Sequence, residues 1–332
     1  MLILGVETSC DDTAAAVLRD GRTILANVVS SQDQVHGPYG GVVPELASRQ
    51  HIQSIVPIVD GALEKAGVTV NDLDGMAVTY GPGLVGSLLV GLCLVKGISF
   101  RTGIPYVGVN HLEAHLLAIH LEQQVPFPYI ALLASGGHTL LYCVNNVGDY
   151  VHLGGTRDDA AGEAYDKVAK MMGLGYPGGR IIDNLATTGN RKAIRFPRAR
   201  IKNCPYQFSF SGIKTALWHY LKAQDKEHWQ AHMADIAASF QEAVVDMLVT
   251  PTIKAAVTLG VKRIVLSGGV AANSRLRERM KESADADGLE AFFPAPKFCT
   301  DNGAMIALAG YYGLKRGRRD DFYLNADADL TL

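Results

Sequence analysis

The residues best suited to chemistry lie in VNHLEAHLL, Val109–Leu117, where His111 and His115 stand four positions apart among leucines. On an α-helix that spacing brings the two rings within ~40° of each other, so they share a face. Two neutral imidazoles on one face can clamp a metal ion. The same spacing suits two histidines that simply pack in a core or lie on a surface, and only a third ligand from elsewhere in the chain would decide. A zinc-protease motif is a poor fit. H-E-x-x-H sets its general base directly after the first histidine, where this chain has Leu112. The nearby acid is Glu113, ~200° of helix turn away from His111.

Apolar segments must deliver these residues. Leu2–Val6 reads as a buried strand, Glu7–Thr13 as a polar turn and Ala14–Leu18 as a returning strand, with Ile24–Ser30 as a third. Pro44 suits the first turn of a helix that continues through Leu46, Ile52, Ile55, Val59 and Leu63, with Pro57 bending it. Gly75–Thr79 is a strand leading into GPGLVGSLLVG, Gly81–Gly91, whose glycines would let a partner helix approach closely through Gly83, Gly86 and Gly91. Pro105–Val109 is the strand that ends at His111. The pattern then recurs: Ile130–Ala134, the tight turn Ser135–Thr139, and Leu140–Val144 repeat the first hairpin, which suggests an internal duplication. A polar, partly basic insertion follows from about residue 154. Ile236–Leu248 is an amphipathic helix, Arg263–Leu266 a strand, and TDNG precedes a last helix over Ala304–Gly313.

Composition narrows the classes. The 332 residues suit roughly two domains, and 48% hydrophobic against 19% charged residues is ample for sizeable cores. No uninterrupted apolar run reaches the ~18 residues of a membrane span, and no signal segment opens the chain. Five scattered cysteines without a CxxC fit a reducing cytosol, so a cytoplasmic location is expected. A formal charge of −2 means that nucleic acid must be met by local patches. Arg191–Lys202 holds six cations in twelve residues, and Arg275, Arg277 and Arg279 offer a second group.

Four glycine-rich or acidic loops, Glu7–Thr13, Ser135–His138, Gly268–Asn273 and Thr300–Gly303, each end a strand and are expected to line one cleft. Their order matches the plan of the actin, Hsp70 and sugar-kinase (ASKHA) superfamily. ETSCDDT, GGVVPELASRQH, GPGLVGSLLVG, NHLEAHLLA, SGGHT, DDAAGEAYDKVAKMMGLGYPGG, FSFSGIKT, SGGVAAN and FCTDNGAMIA closely resemble the bacterial TsaD family from Leu2 to about Gly313.

The resemblance implies an α/β protein of two RNase H-like domains with an active-site cleft between them. The first would span residues 1–125, completed by a C-terminal helix at about 304–332. The second would span 126–303, with an insertion at about 154–232. The implied enzyme is a tRNA N6-adenosine threonylcarbamoyltransferase, with threonylcarbamoyl-adenylate as donor and AMP as leaving group. The implied ligands of one divalent metal, Fe2+ in the family with Zn2+ or Mg2+ as alternatives, are His111, His115 and Asp301; Asp301 would otherwise cap a helix. Substrate contacts fall on Ala134, Ser135, Gly136, Gly137, His138, Asp166, Gly179, Asp183 and Asn273. Asp11, at the tip of the first hairpin, is the candidate general base, and Cys10 a small turn residue. Implied partners are tRNA, a paralogous TsaB-type subunit and a TsaE-type ATPase, with a homodimer when the chain is alone and no membrane. The chain departs from its relatives in two places. Leu133 stands where archaeal and eukaryotic members have a ligating tyrosine, and NADADLTL replaces a basic, tryptophan-containing tail. A small-molecule kinase or a non-catalytic scaffold are the competing readings; neither gives the histidines a role.

Overall fold

The computed structural model describes residues 1–332, which form two units: Met1–Val125 with Thr300–Leu332, and Pro126–Cys299. The boundary puts Thr300–Gly303 in the first unit, where the expected second domain ran to residue 303. The reason is local, since Asn302 caps the C-terminal helix Gly303–Lys315 by accepting from Met305 N at 3.0 Å.

In the first unit, strands β1 (Leu2–Glu7), β2 (Asp12–Arg19), β3 (Thr23–Ser31), β4 (Gly75–Gly81) and β5 (Tyr106–Asn110) form one sheet in the order β3-β2-β1-β4-β5. The hairpin of β1 and β2 pairs Leu4 with Val17, and β1 runs parallel to β4. From Ile3 onward β1 is fully buried, as its unbroken apolar run demands of a central strand covered on both faces. On one face, Leu4, Val6, Val17 and Val78 pack with Ile55, Val59 and Leu63 of helix Pro44–Ala66 and Leu92 and Val95 of helix Val85–Thr102. The latter helix is long and apolar enough to cross a membrane by composition, but here its Leu88, Leu92 and Val95 are buried, the last two in this core. Gly83, in the turn before this helix, and Gly91, within it, approach the unit's own chain closely. A Cβ on Gly83 would lie 2.5 Å from Ser9 O, and one on Gly91 2.6 Å from Thr8 Oγ1.

The other face is covered by the C-terminal helix, lying flush on the sheet. A Cβ on Gly5 would come within 2.3 Å of Gly303 O, and one on Gly310 within 2.2 Å of Ala77 Cβ. Beyond this helix the tail crosses the end of the sheet. Asp320 N donates to Tyr106 O (3.0 Å) and Asp320 Oδ2 accepts from Gly108 N (2.7 Å). Further on, Asp327 N donates to Tyr80 O (2.8 Å), Gly83 N to Ala328 O (3.2 Å), and Asn110 Nδ2 to Thr331 O (3.2 Å).

The second unit repeats the plan. Strands β6 (Tyr129–Ala134), β7 (Thr139–Asn146), β8 (Asp149–Gly155), β9 (Arg263–Ser267) and β10 (Glu290–Phe292) are ordered β10-β9-β6-β7-β8. The pairings β6/β7 and β7/β8 are antiparallel, and β6/β9 and β9/β10 parallel, as in the first sheet. The duplication is therefore one of strand order and direction. The segment read as a polar insertion is an integral part of this unit. Helix Ala161–Met171 buries Ala161, Ala164, Tyr165, Val168 and Ala169, and Phe196, Phe208 and Phe210 join the same core with Phe240 and Val244 of helix Met233–Leu259.

Candidate metal centre and substrate loops

The metal candidates converge within the first unit. β5 ends at Asn110, whose side chain accepts from Leu112 N (2.8 Å) and Glu113 N (3.3 Å) and so starts helix His111–Leu117. Both histidines face inward, with ring centroids 4.7 Å apart and planes at 87°. Their Nε2 atoms aim at one oxygen, Asp301 Oδ1, at 3.5 Å from His111 and 3.0 Å from His115. The ligand atoms of the three residues lie within 4.8 Å of one another. The residue that caps the C-terminal helix is Asn302, not Asp301. Two imidazole nitrogens and a carboxylate oxygen, meeting in a buried spot, are a donor set that fits a divalent cation such as Fe2+ or Zn2+.

Behind His111 stands Glu7, a residue absent from the expected site. Its Oε2 lies 3.0 Å from His111 Nδ1 and accepts from Thr79 Oγ1 at 2.6 Å, while Oε1 accepts from Ser9 N. Ser9 Oγ lies 3.2 Å from the same Nδ1. Once the ring is neutral, a carboxylate on Nδ1 keeps the proton there, so that the Nε2 lone pair faces Asp301. Burial alone would raise the Glu7 carboxyl, but His111 beside it overrides this and holds it below its usual range. His115 has no such support: its Nδ1 is buried without a hydrogen-bond partner, and burial lowers its pKa.

Asp11 lies beyond the end of β1, near enough to Asp301 for the charges to repel. Burial first, and that repulsion after it, raise its carboxyl above the ordinary range. Asp12 is pushed up to about 8, chiefly by burial. Cys10 is raised well above a normal thiol by burial and by Asp11, which rules out a resting thiolate nucleophile.

The remaining candidates belong to the second unit. The turn after β6 is closed by Ser135 N to His138 O (2.8 Å) and His138 N to Ser135 Oγ (3.1 Å), leaving Gly136 and Gly137 exposed. Gly268, at φ +83°, lets β9 end against Ala134, since a Cβ there would sit 2.4 Å from Ala134 O. Gly162 N donates to Ser135 O (3.1 Å), which ties this turn to the helix carrying Asp166. Asp166 Oδ1 accepts from Gly178 N (2.7 Å), fixing the start of the next helix and the neighbouring Gly179. Asp183 accepts from Ser274 N (2.9 Å) and Oγ (2.8 Å) and from Gln241 Nε2 (3.1 Å). Asn273 caps helix Ser274–Ala286 and donates from Nδ2 to Gln241 Oε1 (2.7 Å). Gln241, buried on helix Met233–Leu259, thus orients both and was not expected from the sequence. Its only sequence signal is a polar residue on the buried face of an apolar helix.

Two sheets of the same order, a polar turn at each hairpin and glycine turns leading into helices define a duplicated ASKHA-type protein, here with a His/His/Asp cluster added. At the level of fold the likeness extends to component A of the Acidaminococcus fermentans (R)-2-hydroxyglutaryl-CoA dehydratase, with TM-score 0.57 and 18% identity over 96% of this chain and 100% of that one. A ROK hexokinase from Thermus thermophilus matches at TM-score 0.50 and 16% identity, over 96% and 100%. A family model described as TsaD, tRNA N6-adenosine threonylcarbamoyltransferase, matches residues 23–308. A relative of that name from Syntrophotalea carbinolica is 53% identical over 332 residues, covering 100% of this chain and 97% of its own. The chain belongs to the TsaD family of tRNA-modifying transferases.

Proposed function

We propose that this chain transfers the threonylcarbamoyl group from threonylcarbamoyl-adenylate to N6 of the adenosine adjacent to the anticodon, in tRNAs that read codons beginning with A. The C–O bond to the adenylate phosphate breaks, the N6–C bond forms, AMP leaves, and one N6 proton goes to a base. The observation that carries the reading is the convergence of His111 Nε2, His115 Nε2 and Asp301 Oδ1. A small-molecule kinase of the same fold would give these three no work.

His111, His115 and Asp301 would hold the divalent cation, Fe2+ or else Zn2+ or Mg2+, and when bound it supplies Lewis acidity toward an acyl or phosphoryl oxygen. Glu7 fixes the His111 tautomer. Asp11 serves as the base: a carboxyl raised by burial is better matched to taking a proton near neutral pH than an exposed one. In the second unit, the exposed amides of Gly136 and Gly137 face carbamoyl or phosphate oxygens, together with the end of β6 at Ala134 and with Ser135 and His138. Asp166, Gly179, Asp183 and Asn273 set the adenylate ribose. Asp183 already accepts three hydrogen bonds, so its part is to hold the loop and offer its remaining acceptor site.

Exposed Ile52, Val56, Val85 and Leu89 on the two long helices of the first unit offer an apolar face to a TsaB-type paralogue, or to a second copy when that subunit is absent. A TsaE-type ATPase completes the set, in the cytoplasm. The test is to incubate the chain, both helpers and unmodified tRNA with threonine, bicarbonate and ATP, then digest the RNA and weigh the nucleosides. The expected product is threonylcarbamoyladenosine, lost with His111→Ala and strongly reduced when the paralogue is left out. Unmodified adenosine alone, with ATP consumed on a small metabolite, would instead favour a kinase.

A further inference from the structure

The second unit carries a groove that the transfer chemistry leaves unused. It has a volume of about 1050 Å³ and lies between the irregular segment Arg195–Gln207 and one face of helix Met233–Leu259. On that helix Asp246, Thr250 and Lys254 recur every fourth residue and so look into the groove together. Arg195, Arg198 and Arg200 line the opposite wall.

The cations of this region divide into two kinds. Arg198 is bound by Asp246 Oδ2 at 3.1 and 3.2 Å and donates to Phe196 O, and Arg191 pairs with Glu278 at 3.2 Å. The second basic group expected to meet RNA is likewise engaged within the unit. Arg275 pairs with Glu242 and Glu278, Arg277 donates to Ala271 O and Pro294 O, and Arg279 faces Asp246 and Glu282. Arg195, Arg200 and Lys254 are exposed and have no hydrogen-bond or ion-pair partner in the chain. The sole carboxylate of the groove, Asp246, is occupied by Arg198.

We infer that this groove binds the sugar–phosphate backbone of RNA, with Arg195, Arg200 and Lys254 each meeting a phosphate. Backbone rather than base recognition follows from the lining. Its one aromatic residue, Phe196, is 3% exposed, so no ring is free to stack on a base. Three unpaired cations on two walls suit a polyanion that passes between them, while Arg198, neutralised by Asp246, stiffens the wall. Such contacts are independent of sequence, as an enzyme acting on several tRNAs needs. The inference rests on tRNA being the substrate, and the experiment separates the two.

Binding of an unmodified tRNA transcript is measured by fluorescence anisotropy at several salt concentrations. The proteins are the full chain, an Arg195→Glu/Arg200→Glu/Lys254→Glu variant, its Gln counterpart, and a control with Lys226→Glu, Lys262→Glu and Lys281→Glu on exposed sites elsewhere in the same unit. The groove variant should lose at least tenfold in affinity at low salt, and its slope of log K against log salt should fall by about 2–3. The Gln variant should lose less, and the control about twofold or less. Far-ultraviolet circular dichroism checks that each is folded. Wild-type binding with the groove and control variants equal would overturn the inference alone. A wild-type chain that ignores tRNA would overturn it together with the proposed substrate.

Discussion

Glu7 is the residue whose influence on the metal centre is easiest to isolate, because it touches His111 and none of the other ligands. Replacing it by Gln keeps an acceptor near Nδ1 but removes the charge, and metal affinity should fall about 10–100-fold, as is usual for such supporting carboxylates. Titration calorimetry would read this, and an affinity unchanged by Glu7→Gln would remove Glu7 from the site. The same cluster sets a pH dependence. Burial alone would lower the His111 pKa, yet Asp301 and Glu7 outweigh it and hold it at about 9. Since that lies above the unfolded value of 6.5, charged His111 stabilises the metal-free fold fully below pH 6.5, and the contribution is lost as pH rises through about 9. Asp12 acts in the same sense, because it stays protonated in the fold up to about 8 while the unfolded carboxyl ionises near 3.8. The metal-free chain should therefore melt at a lower temperature as pH rises above 6.5. A cation needs His111 deprotonated, so the melting increment on adding metal should grow over the same range. Melting curves with and without metal, recorded along that range, check both slopes; an increment that shrinks with pH would contradict the assignment of His111 as ligand.

At the scale of elements, the tail is a tie on the helix that carries the histidines. Asn110 starts that helix with its Oδ1 and is itself held through Nδ2 by Thr331 O, while Asp327 and Ala328 hold the turn at Tyr80–Gly83. Removing residues 326–332 should lower both the melting temperature and the metal affinity, and Asn110→Ala should lower affinity further by removing the cap itself, worth ~1 kcal/mol. Unchanged metal binding in the truncated chain would reduce the tail to packing. This tie was not legible in NADADLTL, because its bonds use backbone groups, which no letter encodes. The strands were legible, since β1, β4, β5, β6 and β9 are apolar runs buried on both faces. β8, at the edge of its sheet with Val151 nearly half exposed, carries no such run and was missed. Helix Ala161–Met171 was hidden among acids, although Ala161, Ala164, Tyr165 and Val168 have helical spacing. The His/His/Asp cluster became legible only through resemblance. Spacing could pair His111 with His115, but nothing local reaches across to Asp301 or back to Glu7.

Over the whole molecule, the two units differ in how the chain supplies them. Pro126–Cys299 is continuous and has its own sheet and core, so it should fold as an isolated fragment with one cooperative melting transition. Met1–Val125 should not, because one face of its sheet awaits the C-terminal helix, and the contacts at Gly5 and Gly310 accept no substitute surface. Adding a Thr300–Leu332 peptide in trans should restore its ordered circular dichroism, and a Met1–Val125 fragment that melts cooperatively alone would refute this. That layout reverses the usual order of events on the ribosome. The first sheet emerges early, but the helix that closes it is made only after the entire second unit, a delay on the order of ten to thirty seconds at ordinary elongation rates. During that interval the nascent first unit shows its bare Gly5 and Ala77 face to the cell, a surface that a ribosome-associated holdase would have to cover in a chain whose second half is finished before its first.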